Sequence, residues 1–428
     1  MPRPTDTVVL ELAKAAREYG RLGIDTEFVG EGRYRPLLCL AQVAVDTPSG
    51  GVRIELLDPI ADEFDPTPLA EVLADPSIEI VLHAARQDVA LLKRTWETEV
   101  RGVFDTQLSA GFAGLRSQMG YDALLREVLK VKLEKSASFT RWEQRPLSAE
   151  QQRYAAEDVQ HLLQLSVAIQ NRLVDLGRLD WAIEECRALE EVSDSRDPEL
   201  LFPRLPRIDG LDPAQRAVAY RLLEWREAEA ARADRPPSTV LQDQTLVELA
   251  KRRPRDRERL QQIRGINEGT LHRRGDRLLQ AIAEGRDYEP IPVQRERPAR
   301  QDPVDPELVA LTETLVRTRA NQEELAYELL ANRSDLQRVI AAWRDGTDLP
   351  DVRTLQGWRG EVVGKDIFAL LDGDLKLRVG PDHKVVAELD APERPQASRL
   401  RTFMDRMGSE EQPDLDEVDA IRGADRRP

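Results

Sequence analysis

Arg21-Leu22-Gly23-Ile24-Asp25-Thr26-Glu27-Phe28 reads as a strand that carries two carboxylates in an otherwise largely apolar run. Side chains alternate along a strand, so Asp25 and Glu27 share one face while Ile24, Thr26 and Phe28 share the other. Two further strand candidates follow, Leu37–Val45 and Val52–Asp58, preceded by the turn-forming Glu31-Gly32 and Thr47-Pro48-Ser49-Gly50-Gly51. Turns of that kind between apolar runs predict an antiparallel meander. The next candidates, Ile78–His83 and Val100–Asp105, alternate with helical patterns, which predicts parallel strands. Helices are expected over Tyr121–Leu129 and Ala149–Leu176. The expected architecture is a mixed sheet flanked by helices.

Two carboxylates side by side on a sheet repel each other and lose hydration, which is costly unless cations bind. Asp88, in His83-Ala84-Ala85-Arg86-Gln87-Asp88, falls in the first turn of a helix that continues to Trp96. Tyr154 and Asp158, in Tyr154-Ala155-Ala156-Glu157-Asp158, are four apart on a helix and share a face, whereas Glu157 lies on the neighbouring one. Each segment alone has a simpler explanation: a solvated acidic strand, a helix-dipole partner, or a core tyrosine beside a paired aspartate. As an ordered set they supply the hard oxygen ligands that magnesium and manganese prefer. Two such ions about 4 Å apart can clamp the attacking and the leaving oxygen of a phosphodiester.

In this order the segments resemble the three exonuclease motifs of the DEDD superfamily, in its tyrosine-bearing branch. Trp142 followed by Arg145-Pro146-Leu147, with Lys135-Ser136 before it, resembles the stretch ahead of the third motif in the ribonuclease D family. Phe104-Asp105-Thr106-Gln107 resembles that family's strand-end Asp-Thr. The resemblance covers about residues 5–375. It implies an α/β RNase H-like exonuclease domain followed by two small all-α HRDC-like domains. It further implies a 3′→5′ exoribonuclease dependent on two divalent ions, Mg2+ or Mn2+, that trims 3′ ends of structured RNA such as precursor tRNA. Asp25, Glu27 and Asp158 would hold one ion. Asp25 would also touch the second, with Asp88 supporting that ion directly or through water. Tyr154 would orient the attacking water, because a phenol with an ordinary pKa near ~10 is a poor base at neutral pH. His83 is the alternative base, for which a structural role is preferred. Phe28 either stacks on the terminal base or packs in the core.

Residues 211–289 resemble the HRDC module shared by RecQ-type helicases and ribonuclease D, through Thr245–Ala250 before Arg253-Pro254, the Arg264-Gly265-Ile266 turn, and a closing helix Gly275–Glu284. Residues 307–372 resemble the second, more divergent HRDC-like domain, through Leu329–Arg333, Leu336 and Gly357-Trp358-Arg359. The layout read from the sequence is an exonuclease domain over 1–195, a linker over 196–210, the HRDC domain, a proline-rich linker over 290–306, the second helical domain, and a hairpin with a disordered tail over 373–428. Asp212-Pro213 is a helix-opening signature.

The chain of 428 residues is acidic, with 62 basic and 78 acidic residues and a formal charge of −16. Nucleic-acid binding therefore requires a local basic surface. Residues 251–277 provide one, with ten basic residues against four acidic. Lys251, Arg252, Arg253, Arg255, Arg264, Arg273 and Arg274 are its candidate RNA contacts, and a merely solvated arginine-rich face is the alternative. Only Cys39 and Cys186 are present, without metal-ligand spacing, which argues against zinc and disulfides. No apolar stretch has the length of a signal peptide or a membrane span, so a cytoplasmic protein is expected. No obligate protein partner is indicated, and the resemblance implies a monomer. Two other functions fit the same motifs: a 3′→5′ DNA exonuclease, since HRDC domains also accompany DNA helicases, and a catalytically inactive RNA-binding scaffold.

Overall fold

The computed structural model describes residues 3–61, 63–133, 141–292 and 304–389. Lys135 and Ser136, most of the second proline-rich linker and the tail from 390 lie outside these residues. The first region is a five-stranded sheet in the order β3-β2-β1-β4-β5, with β1 Arg21–Val29, β2 Leu37–Asp46, β3 Val52–Leu57, β4 Glu79–Leu82 and β5 Val103–Asp105. The pairs β1–β2 and β2–β3 are antiparallel, and β1–β4 and β4–β5 are parallel. The acidic strand β1 is thus central rather than an exposed edge. Around the sheet run α1 (Pro4–Tyr19), α2 (Thr67–Ala74), α3 (Arg86–Thr95), α4 (Thr106–Phe112), α5 (Tyr121–Val128), α6 (Ala149–Gln160), α7 (Leu162–Asp175) and α8 (Leu179–Glu190).

The two sheet faces bury different helices, as the alternation along the strands dictates. Leu22, Ile24, Val43 and Val45 pack with Val9, Leu12 and Ala16 of α1 and with Leu69 and Leu73 of α2. On the opposite face Ala44 and Val81 pack with Val159 of α6 and with Leu162 and Leu163 of α7. Gly23 lets α7 approach: a Cβ there would stand 3.3 Å from a Leu163 methyl and 3.4 Å from the Ala44 Cβ.

Three sequence expectations change. The helix expected over Ala149–Leu176 is two helices, broken at His161, whose φ of −112° and ψ of 5° interrupt the ladder. The break lets α6 lie along β2 and β3 while α7 crosses β1 and β4. The strand expected over Val100–Asp105 begins only at Val103, because Gly102 takes φ +63°. The stretch 196–210, read as a linker, forms a short helix and two 3₁₀ turns, and buries Phe202, Leu205 and Ile208 in the core of the following helical region. Pro198 and Pro203 stand in the first positions of the helix and of the first 3₁₀ turn, where proline opens an element rather than loosens the chain.

That second region is built on two long helices, Pro213–Ala233 and Glu268–Asp287. Asp212 caps the first by accepting from the Gln215 N–H, with Pro213 in the first turn. The helices cross closely at Gly285, where a Cβ would lie 2.6 Å from the Val218 Cα. This region also holds the β1–β2 turn. The Tyr34 ring packs on its core, the Tyr34 hydroxyl donates to Glu227 at 3.2 Å, and its N–H donates to Asp234 at 3.1 Å.

The third region, helical from Pro306 to Asp372, closes with the antiparallel hairpin Leu375–Val379 and Val385–Leu389. It shares one core with the first region. Trp358 stacks on Trp181 of α8 at 5.0 Å and meets Phe112 of α4 edge-on at 5.1 Å. Glu185 of α8 pairs with both Arg353 and Arg359, and Arg178 reaches Glu323 at 3.1 Å. Among the described residues no helix is long and apolar enough to cross a membrane.

Trp358 is buried at the centre of this junction. Truncation to alanine removes a ring that fills space between two regions, so Trp358→Ala should cost about 3–5 kcal/mol. Urea unfolding of the full chain followed by circular dichroism checks this, and an unchanged midpoint would show that the junction contributes nothing to stability.

Candidate active site

Asp25 and Glu27 project from the central strand toward α6. Asp88 arrives from α3 through a turn that the sequence builds with care. Asp105, at the end of β5, caps α4 by accepting from Gln107 N–H at 2.8 Å and Leu108 N–H at 3.2 Å. The same carboxylate accepts from the N–H groups of Ala84 and Ala85 at 3.1 and 2.9 Å. Thr106 donates to the Leu82 carbonyl at 3.0 Å. One Asp-Thr pair therefore fixes the β4–α3 turn, where Ala84 takes φ +60°. Asp88 is buried in the first turn of α3 and accepts a hydrogen bond from the Thr26 hydroxyl.

Tyr154 and Asp158 come from α6, whose start is fixed by a capping box between Ser148 and Gln151. Arg145, just upstream, clamps the approach to the sheet. It donates to Asp58 at 2.5 and 2.6 Å, to the Cys39 carbonyl at 2.7 Å and to the Trp142 carbonyl at 2.6 Å. Trp142 is buried, and its ring lies 6.0 Å from that of Tyr154.

The electrostatics follow from this gathering. Burial is the first cause in each case, and it pushes Glu27 up to about 8, Asp158 up to about 7 and Asp88 up to about 6. Asp25 is raised well above its ordinary value by burial and then by the charges of Asp88, Asp158 and Glu27. None of the four forms an ion pair among the described residues. Nor, among these residues, do three His, Cys, Asp or Glu side chains already stand arranged to hold an ion. Asp25 and Glu27 feel the charges of Asp88 and Asp158, whereas the charge raising Asp88 is that of Asp105 and the one raising Asp158 is that of Glu157; Thr26 holds Asp88. Tyr154 is raised by burial and then by Asp158, Glu27 and Asp25, so its phenol stays protonated.

The other candidates separate. His83 faces inward, with Nδ1 3.0 Å from the Thr106 hydroxyl and its ring 5.5 Å from Tyr121. Burial lowers its pKa, as suits a neutral structural imidazole. Phe28 is half-buried and packs at the rim of the α1–α2 core. In the basic stretch, Arg252 pairs with Glu248, and Arg274 donates to the carbonyls of Thr239 and Val240 at 3.3 Å. Lys251, Arg253, Arg255, Arg264 and Arg273 make no ion pair among the described residues. Arg286 is lowered by burial and then by the positive charges of Arg255 and Arg253, which marks a basic cluster there. Tyr121 also comes near these carboxylates. Its buried hydroxyl is raised by burial and, further, by Asp158 and Asp25, but nothing in its local sequence signals that proximity.

A family model described as 3′-5′ exonuclease matches residues 4–174, and the HRDC domain model matches residues 215–282. The chain is 37% identical to a ribonuclease D of Granulibacter bethesdensis over 364 residues, which is 83% of this chain and 88% of that protein. It is 35% identical to a ribonuclease D of Gluconacetobacter diazotrophicus, with 84% of this chain and 89% of that protein covered. Among solved structures, that of Escherichia coli RNase D, described as an exoribonuclease involved in structured RNA processing, superposes with a TM-score of 0.71. The identity is 26%, over 86% of this chain and 97% of that one.

The raised carboxyls set a pH dependence. A carboxyl whose folded pKa lies above its unfolded value binds protons more tightly when folded, so its contribution to stability is full below about pH 4 and is lost as pH rises. For this site the loss runs through about 6 to 8. In EDTA the melting temperature should therefore fall between pH 5.5 and 8.5. Mg2+ or Mn2+ should restore it more at pH 8.5, and binding at pH 5.5 should release protons. Glu27→Gln should flatten the EDTA profile. A wild-type profile that is already flat, or cation stabilisation equal at both pH values, would contradict the electrostatic account.

Proposed function

Given that this chain belongs to the ribonuclease D family and is a 3′→5′ exoribonuclease, we propose that Asp25, Glu27, Asp88 and Asp158 form its catalytic centre. The 3′-5′ exonuclease family is divalent-metal dependent. The observation that carries the assignment is four carboxylates converging from β1, α3 and α6, each raised in pKa and none paired with a base of the chain. Such a donor set fits hard divalent cations and has no other evident counter-charge. Two ions, Mg2+ or Mn2+, are proposed, with Asp25 and Glu27 on the strand and Asp158 on the helix holding one. Asp25 would also serve the second, with Asp88 supporting that ion directly or through water. When bound, the ions supply Lewis acidity and lower the pKa of water.

The remaining work falls to the protein. Tyr154, protonated beside the carboxylates, orients the attacking water by hydrogen bonding and does not serve as a base. Its place four residues before Asp158 on α6 ties that orientation to the same helix that carries a ligand. Phe28, half-buried, packs against the α1–α2 core, which favours the packing role over stacking on a terminal base. The substrates proposed are 3′ ends of structured RNA, such as precursor tRNA, gripped beyond the active site by the HRDC region. Arg253 and Arg255 are its best-placed contacts, since Arg252 and Arg274 are already engaged within the protein.

Asp25→Asn should lower single-turnover cleavage of a 5′-labelled single-stranded RNA at least about 1000-fold, because one change removes a charge shared by both ions. Product ladders in Mg2+, Mn2+ and EDTA measure this. Near wild-type rates for the variant in Mg2+ would remove Asp25 from the centre.

Arg253→Gln with Arg255→Gln should weaken binding of a tRNA-sized RNA and reduce the slope of log affinity against log salt, by up to about one unit per lost phosphate contact. Turnover of a trinucleotide should stay within about twofold, since so short a substrate does not extend beyond the active site. An unchanged salt slope would return these arginines to a solvated face.

A further inference from the structure

Within the run Leu37–Val45 of β2 one residue is polar, Gln42. It is 0% exposed, and neither its amide nitrogen nor its amide oxygen has a hydrogen-bond partner. Buried amides are ordinarily satisfied, because losing water without a replacement bond opposes folding. This one is kept in the middle of the sheet, so the question is what it faces.

The register answers it. Gln42 stands directly across from Asp25 in the antiparallel pair. Cross-strand partners rise from the same face with Cβ atoms about 5 Å apart. The other neighbours of Gln42 on that face are apolar: Leu40 and Ala44 along β2, and Leu56 across on β3. Helix α6 lies over them, with Ala155 packed in the cluster of Leu40 and Val159 in that of Ala44. Asp158 lies between those two α6 residues. Of the side-chain acceptors near that face, Asp25 alone stands directly across from Gln42; Glu27 lies two residues along β1, and Asp158, Tyr154 and Tyr121 come from the helices over it.

We propose that Gln42 is a positioning residue for the hydrolysis: its amide N–H donates to the Asp25 carboxylate and turns that carboxylate toward the ions. The inference rests on the assignment of Asp25 as a ligand. Glutamine suits the task because it is neutral and carries two donors. It steers a carboxylate without cancelling the charge an ion needs, whereas lysine or arginine in its place would compete with the ion. Neither amide atom of Gln42 is engaged elsewhere, so its donors are free for the carboxylate that stands across from it. Partners of this kind behind a metal ligand set its orientation and basicity.

The test is Gln42→Met in the full chain, which keeps the length of the side chain and removes both donors. Its cation-free melting temperature should equal or exceed that of the wild type, since no satisfied bond is lost. Mn2+ affinity, read from the electron-spin resonance of free Mn2+, should fall about 10-fold or more. The kcat on a short single-stranded RNA should fall about 10- to 100-fold, with KM for the RNA within about twofold. Gln42→Leu carries the same test should the methionine variant fold poorly. A folded variant with wild-type Mn2+ affinity and kcat overturns the proposal. So does a lowered melting temperature with unchanged affinity, which would make Gln42 a packing residue only. Asp25→Asn measured alongside separates two failures. If it loses Mn2+ while the Gln42 variants keep it, the role of Gln42 is wrong and the ligand assignment stands; if Asp25→Asn keeps full Mn2+ binding, both are wrong.

Discussion

Burying Asp25, Glu27, Asp88 and Asp158 within reach of one another's charge opposes folding, because carboxylates repel each other and lose water. The chain supplies no base to neutralise any of them among the described residues, so the gathering must be imposed by the scaffold. Three devices impose it. The acidic strand is the central one, bonded on both sides. Asp105 and Thr106 fix the turn that delivers Asp88, through bonds to Ala84, Ala85 and Leu82. Arg145 anchors the approach to α6 on Asp58 and on the backbone of β2. Each device uses charge-assisted or buried hydrogen bonds away from the four carboxylates, and so offsets their repulsion without neutralising the charge that cations require.

This division of labour explains what the sequence discloses. Asp25 and Glu27 were readable because a strand has a period of two and two acids on one face of an apolar run are conspicuous. Tyr154 and Asp158 were readable because a helix brings residues four apart together. The meander and the parallel crossovers followed from turn residues and alternation, and the five strands lie where those signals put them, apart from the shortening at Gly102. Long-range geometry was not readable. Asp105 was noticed only as part of a resemblance, since its partners at Ala84 and Ala85 lie about twenty residues away in sequence. Tyr121 nears the site through tertiary packing alone. Gln42 did leave a signal, a lone amide in an apolar strand, but its meaning depends on a register that pairs it with Asp25. The stretch 196–210 misled because proline content was read as looseness, while Phe202, Leu205 and Ile208 are spaced to anchor the next core.

The two C-terminal regions are joined to the exonuclease region by different physics. The last is fused through an apolar junction, with Trp358 between Trp181 and Phe112, and such a contact transmits position rigidly. It bears on α4 and α8. Helix α4 is the one that Asp105 caps, and Cys186 of α8 accepts from the Asp105 N–H at 3.4 Å. The packing that supports the Asp88 turn from behind is thus shared with the third region.

The HRDC region is held more by polar contacts. Tyr34 inserts its ring, while Arg33 pairs with Asp234 at 2.9 Å and Arg196 sits 5.1 Å above the Tyr34 ring and pairs with Glu227 at 2.6 Å. These bonds grip the turn that follows Glu27 and Phe28 directly in the chain. Ion pairs with partial exposure weaken with salt and with competing phosphates, whereas the buried Trp358 junction does not. The same acidic protein therefore presents a rigid support behind the turn that delivers Asp88 and a salt-sensitive one beside the strand of Asp25 and Glu27. The strand carrying Asp25 and Glu27 is thereby joined, through seven residues of turn, to the surface proposed to grip the substrate.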